Sequence, residues 1–287
     1  MILDKVLKDF NDSNPYQKEG KDLLLNNKPV ILRIQNVADY YFSVSDNEFI
    51  FDEMNDNFPN IAPPWKCFWL EYLSPAKMNT GGKVLDWDSS FNLGTLVLAE
   101  KSEKDGWGLG FHHYLHKENR SQYAGSVLIT CDDRGIPKVM KHPTIPGKII
   151  VMGHNPFKDD EIHNSNINLA QVCMMAISFC HCKNVVINTT KLGHGQLKKR
   201  KKHGKPSVYA YHTLNIEPMK KVFRANGAGN SIKKGLHICR GHFKDYRGSQ
   251  GLFGKHKDIY WWDSHVKGTN ADRIIEKEYN IKTKESD

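Results

Sequence analysis

The chain has 287 residues, 39% of them apolar and 10% aromatic, so a sizeable core can be buried and general disorder is excluded. No run approaches the roughly 20 apolar residues of a membrane-crossing helix, and the opening MILDKVLKDFNDSN lacks the basic start, long apolar run and small-residue cleavage site of a secretory leader. The net charge of +9 is uneven: from Lys191 onward there are 22 Lys/Arg against 9 Asp/Glu, and before it 19 against 23. That asymmetry points the back half toward a polyanion, with nucleic acid favoured over a membrane surface because no amphipathic helix accompanies the charge.

From the N-terminus, residues 3–10 and 18–25 read as short helices, and PVILRIQ (29–35) and YYFSVS (40–45) are β-leaning. NFPNIAPPWKCFWLEYL (57–73) reads as a proline-rich loop running into a strand. Short β runs follow in NLGTLVLAE, WGLGFHHYLH, AGSVLITCDD, KVMKHP and KIIVMG, punctuated by Gly, Asp and Pro as an antiparallel meander requires. The clearest helix spans 159–181, where Leu169, Val172, Cys173, Ala176 and Phe179 belong to a broad apolar face. KNVVINTT then reads as a strand beside it.

KLGHGQLKKRKKHGKP (191–206) has seven Lys/Arg, three glycines and no acid. Nothing in it buries and its charges repel, so it reads as a mobile basic loop. Lys198, Lys199, Arg200, Lys201 and Lys202 are its candidate phosphate contacts; in a eukaryotic protein KKRKK would also read as a nuclear import signal. Beyond it come a strand, SVYAYHTLNI, a short helix or loop at 218–224, the turn RANGAGNSIKKG, and three strands, LHICRGHFKDY, KDIYWWDSHV and ADRIIEKEYNIK. The expected architecture is α+β. An N-terminal mixed antiparallel β/α domain (1–190) is joined by a basic linker (191–206) to a small basic antiparallel-sheet module (207–287).

Residues 237–268, HICRGHFKDYRGSQGLFGKHKDIYWWDSHVKG, hold four His, six Lys/Arg and six aromatics against three acids. Strand alternation puts Arg240, His242, Lys244 and Tyr246 on one face of the first strand, and Tyr260 and Trp262 on one face of the second. RNA cleavage by the 2′-hydroxyl needs a base, an acid and a cation for the developing charge, which two histidines and an Arg or Lys supply without metal or cofactor. On that reading Arg240, His242 and Lys244 are the candidate catalytic groups, with His212, His265 and Tyr246 as partners. The same composition suits binding alone, with Lys255 and Lys257 on phosphates and Trp262 stacked on a base. A plain structural role for the strand face stands beside both.

The strings RGHFKDY and GLFGKHKDIYWWDSHVKG, with CHCKNVV and YHTLNIEP upstream, resemble an uncharacterised family of phage and bacterial mobile-element proteins. The likeness runs from about His181 onward. It implies a setting, the cytosol of a bacterial host, rather than a mechanism.

Other motifs are weaker. Cys180-His181-Cys182 invites zinc, but a Cys-x-Cys pair is tight for one tetrahedral ion, and cysteines facing the core at a helix end are the simpler account. His112-His113-x-x-His116 follows two glycines and reads as a strand rather than a metal-binding helix. The six cysteines show no disulfide spacing and read as reduced thiols. The expected function is therefore a nucleic-acid-interacting protein of a phage or mobile element, RNA before DNA, with metal-independent ribonuclease as its sharper form. The competing class is a phage factor that binds and inhibits a host protein with an acidic surface.

Overall fold

A computed structural model describes residues 1–10, 15–44, 58–74, 77–80, 83–86, 90–102, 106–118, 120–141, 159–203, 205, 208, 210–216, 235–239, 241–248, 250–252, 254–262, 265–267 and 270–274. Its centre is β1 (Val30–Arg33), whose Ile31 and Leu32 are buried in different clusters, one on each face of the sheet. β1 pairs in parallel with β2 (Cys67–Ser74) and with β10 (Ala210–Ile216). Parallel neighbours need a crossover, and α3 (Gln35–Val44) lies on the one that follows β1. Outward from β2 run β5 (Phe91–Lys101), β6 (Trp107–Lys117), β7 (Arg120–Cys131) and β8 (Pro137–Lys141), each antiparallel to the last. β9 (Val185–Lys191) closes the other edge beside β10, giving the eight-stranded order β8-β7-β6-β5-β2-β1-β10-β9. β3 (Lys77–Thr80) and β4 (Lys83–Asp86) form a separate hairpin.

Residues 40–45, β-leaning by composition, belong through Val44 to α3 instead. The buried positions Ile34, Val37, Ala38 and Tyr41 recur at helical spacing, and their burial outweighs the strand preference of the aromatic and branched residues between them.

Helices cover both faces. α4 (Asp159–Cys180) and α3 pack on one face against Phe68, Leu70 and Tyr72 of β2. On the other, α1 (Ile2–Asp9) and α2 (Pro15–Asn27) pack against Trp69 and Tyr114. Every residue of α4 from Leu169 to Phe179 is buried. Its two polar members there are partnered, Gln171 accepting from the Tyr41 hydroxyl at 2.7 Å and Ser178 donating to the Asn60 carbonyl at 3.1 Å. Gly94 makes room for the Trp69 ring, which a Cβ at that position would overlap.

The core does not divide at residues 191–206. β10 lies inside the large sheet, and Leu214, Phe243, Ile259 and Trp261 share one cluster with Leu32 and Phe68. The segment expected as a loop forms a helix, α5 (His194–Lys202). Its side-chain amide at Gln196 accepts from the Gly193 amide at 3.0 Å, and its cations crowd the last turn, where the helix dipole favours them.

Two strands expected as continuous are each split. LHICRGHFKDY becomes β11 (Gly235–Cys239) and β12 (His242–Asp245), and KDIYWWDSHV becomes β13 (Ile259–Trp262) and β14 (His265–Lys267). β12 pairs antiparallel with β13 and β11 with β14, so the ribbon keeps one register across the break. β11 also takes β15 (Asn270–Ile274) as a parallel neighbour. KIIVMG, the segment 218–224 and all of RANGAGNSIKKG but its last glycine lie outside the described residues. Among the described residues no helix is long and apolar enough to cross a membrane.

Candidate nucleic-acid interface

The β12–β13 ribbon is fixed from behind. Phe243 and Trp261 turn inward onto Phe179 of α4, with ring centroids 4.6–4.9 Å apart. Asn184 grips the Trp261 backbone at both ends, donating to its carbonyl at 2.9 Å and accepting from its amide at 3.0 Å. The Tyr40 hydroxyl donates to the Gly241 carbonyl at 2.9 Å, and a Cβ at Gly241 would come within 2.7 Å of the Trp261 ring. The glycine is thus set by close packing between α3 and the ribbon. This anchoring selects the register that turns His242 and Lys244 outward.

On the outer side, His242 pairs with Trp262 and Lys244 with Tyr260. The Lys244 ammonium lies 5.0 Å from the centre of the Trp262 ring, a cation–π distance. Lys244 is exposed, while His242, Tyr246 and Trp262 are half-buried. Tyr260 packs near Tyr246, and its hydroxyl lies 3.3 Å from His256 Nδ1. Lys255 and Lys257 are exposed at the end of the ribbon. Arg247 is committed elsewhere: it holds Asp245 at 2.7 Å, which lowers that carboxyl's pKa, and reaches the Pro59 carbonyl at 3.4 Å.

The expected catalytic set is only partly assembled. His242, Lys244 and Tyr246 share the ribbon face. His212 stands in the main sheet, hydrogen-bonded to Thr189 at 2.9 Å and stacked on Trp65, with partial desolvation lowering its pKa. Arg240 lies outside the described residues, and of His265 the structure describes the backbone alone, paired with Cys239.

The second group of candidates, on α5, belongs to the other side of the molecule. Arg200 is drawn onto Asp4 of α1, and α1 packs on the face of the sheet opposite α4 and the ribbon. Lys198, Lys199, Lys201 and Lys202 remain exposed. By sequence a basic linker (191–206) runs straight into a basic module (207–287), whereas the fold sends the cations of the two to opposite faces of the sheet. Lys5 and Lys8, exposed on α1, whose Asp4 meets α5, were missed because they sit in the acidic front half of the chain. The spacing of Lys8, one helical turn from Asp4, was the available signal.

No family model, curated protein or solved structure matches this chain.

The remaining motifs are built into the scaffold. His113 is fully buried beneath α4 and bonds Thr95 at 2.9 Å, while His112 bonds Tyr123 at 3.2 Å. Burial lowers their pKa values to about 3 and about 4. His116, Asp9 and Ser121 form a closed cluster at 2.8–3.0 Å. His181 donates to the Ala62 carbonyl at 2.7 Å, Cys182 is buried, and burial pushes the Cys180 thiol up to about 12. Among the described residues no group of three or more His, Cys, Asp or Glu is arranged to hold a metal ion.

Proposed function

We propose that this chain binds nucleic acid, RNA in preference to DNA, through the outer face of the β12–β13 ribbon. One observation carries the reading: an exposed lysine poised over a tryptophan ring, on a strand pair whose other face is locked into the core. Such a pair offers an unpaired base a ring to stack on and its phosphate a cation. Lys255 and Lys257 extend the positive surface toward the ribbon's end. The resemblance of this stretch to phage and mobile-element proteins supports a bacterial host as the setting.

Recognition is better supported than cleavage. A two-histidine ribonuclease needs a second proton-transfer group facing the same phosphate as His242. Among the side chains described, His212 is engaged with Thr189 and Trp65, His256 with Tyr260, and burial raises the pKa of Tyr246, which shares the face of His242.

The test is an anisotropy titration of labelled single-stranded RNA at two salt concentrations, with the RNA run on a gel afterwards. Binding that falls about 5- to 150-fold in Trp262→Ala, the range of a lost base stack, with RNA left intact, is the expected result. RNA cut by the wild type but not by His242→Ala would replace recognition by catalysis. Absence of binding would sink the reading and favour an acidic host protein as the partner.

A further inference from the structure

We propose that the α1–α5 face is a second nucleic-acid site, one that holds the sugar–phosphate backbone of a duplex without reading its bases. This rests on the nucleic-acid reading of the chain but not on the ribbon itself. α5 offers four exposed lysines, Lys198, Lys199, Lys201 and Lys202, and has no acid and no Phe, Tyr or Trp. They are not on a loose tail, because the two-pronged contact of Arg200 with Asp4, at 2.7 and 2.8 Å, clamps the helix to α1.

The same clamp removes the opposing charge. Both acids of α1 are used internally, Asp4 by Arg200 and Lys205 and Asp9 by His116 and Ser121. What α1 presents to solvent is Lys5 and Lys8. A rigid surface of lysines with its carboxylates turned inward is an anion surface.

The shortage of large rings selects the kind of anion. α5 has no Phe, Tyr or Trp, and its one ring is the His194 imidazole, so an unpaired base gains little stacking there, whereas the ribbon supplies Trp262. A duplex carries the denser charge, one phosphate per about 1.7 Å of axis, and releases more counterions per contact than a single strand. Because ribbon and α5 lie on opposite faces of the sheet, the two contacts are separate.

The test uses the full chain, a random-sequence DNA duplex and a short single-stranded RNA. The helix variant K198Q/K199Q/K201Q/K202Q keeps Arg200, so α5 stays docked, and an unchanged urea midpoint verifies that. The expected result is a loss of at least tenfold in duplex affinity, with the slope of log affinity against log salt shallower by up to about 3.6, near 0.9 for each of the four lost phosphate contacts. Trp262→Ala should leave duplex affinity within about twofold while weakening the RNA. The proposal is overturned if the helix variant binds duplex like the wild type, or if Trp262→Ala weakens duplex binding as much as the helix variant does. Duplex binding lost in the helix variant, with no RNA binding by the wild type, would retain this site and discard the ribbon reading. A wild type that binds neither discards both.

Discussion

Arg200 and Asp4, 196 residues apart in the chain, meet in a parallel pair of charged hydrogen bonds, Nη1 to Oδ2 at 2.8 Å and Nη2 to Oδ1 at 2.7 Å. The pair ties the first helix to the basic one. Both side chains are largely buried, at 13% and 9% exposure. Removing one partner strands the other charge, which for a buried pair costs about 3–5 kcal/mol. Arg200→Ala should therefore destabilise the fold by roughly 3 kcal/mol in urea titrations. The double variant Asp4→Ala/Arg200→Ala should lose less than the two single losses added together. Strict additivity would mean the pair is not coupled.

Gly241 marks the tightest contact between the ribbon and α3. A methyl group there would come within 2.7 Å of the Trp261 ring and 2.9 Å of the Tyr40 hydroxyl, both anchored. Gly241→Ala should cost about 1–3 kcal/mol, the usual penalty for overpacking. It should also weaken RNA binding, since shifting Trp261 shifts Trp262 beside it. Wild-type stability in this variant would show that the ribbon is free to move off α3.

Acid should destabilise the protein through His112 and His113. Burial lowers their folded-state pKa values to about 4 and about 3, while unfolded histidines titrate near 6.5. As pH falls below about 6.5 the unfolded chain takes up protons that the folded chain refuses. Stability is thus full above that pH and declines toward pH 4, by up to about 1.4 kcal/mol per pH unit for each histidine. Urea midpoints from pH 7.5 to 4.5 measure the decline. His112→Gln/His113→Gln should be less stable at pH 7.5 yet lose less on acidification; an identical acid slope would assign the effect to other groups.

Much of the secondary structure was legible because it depends on near neighbours. The long apolar face of α4, the meander β5 to β8 and the alternation that put His242 and Lys244 on one side of a strand all follow from short-range periodicity. Where local preference and burial disagreed, as at residues 40–44, burial set the element.

The sequence by itself determined that the chain is cationic at its back half, mixes aromatics with those cations and alternates them along strands. Only the tertiary structure decided where the cations go. The 191–206 run looked unable to fold because its charges repel, but the compensating carboxylate comes from Asp4 at the other end of the chain. The basic linker and the basic module that follows it in sequence present their cations on opposite faces, with β10 between them threaded into the central sheet beside β1. Charge and periodicity are properties of a segment, whereas a salt-bridge partner and a sheet face depend on which distant segments pack together, and burial of the whole core sets that.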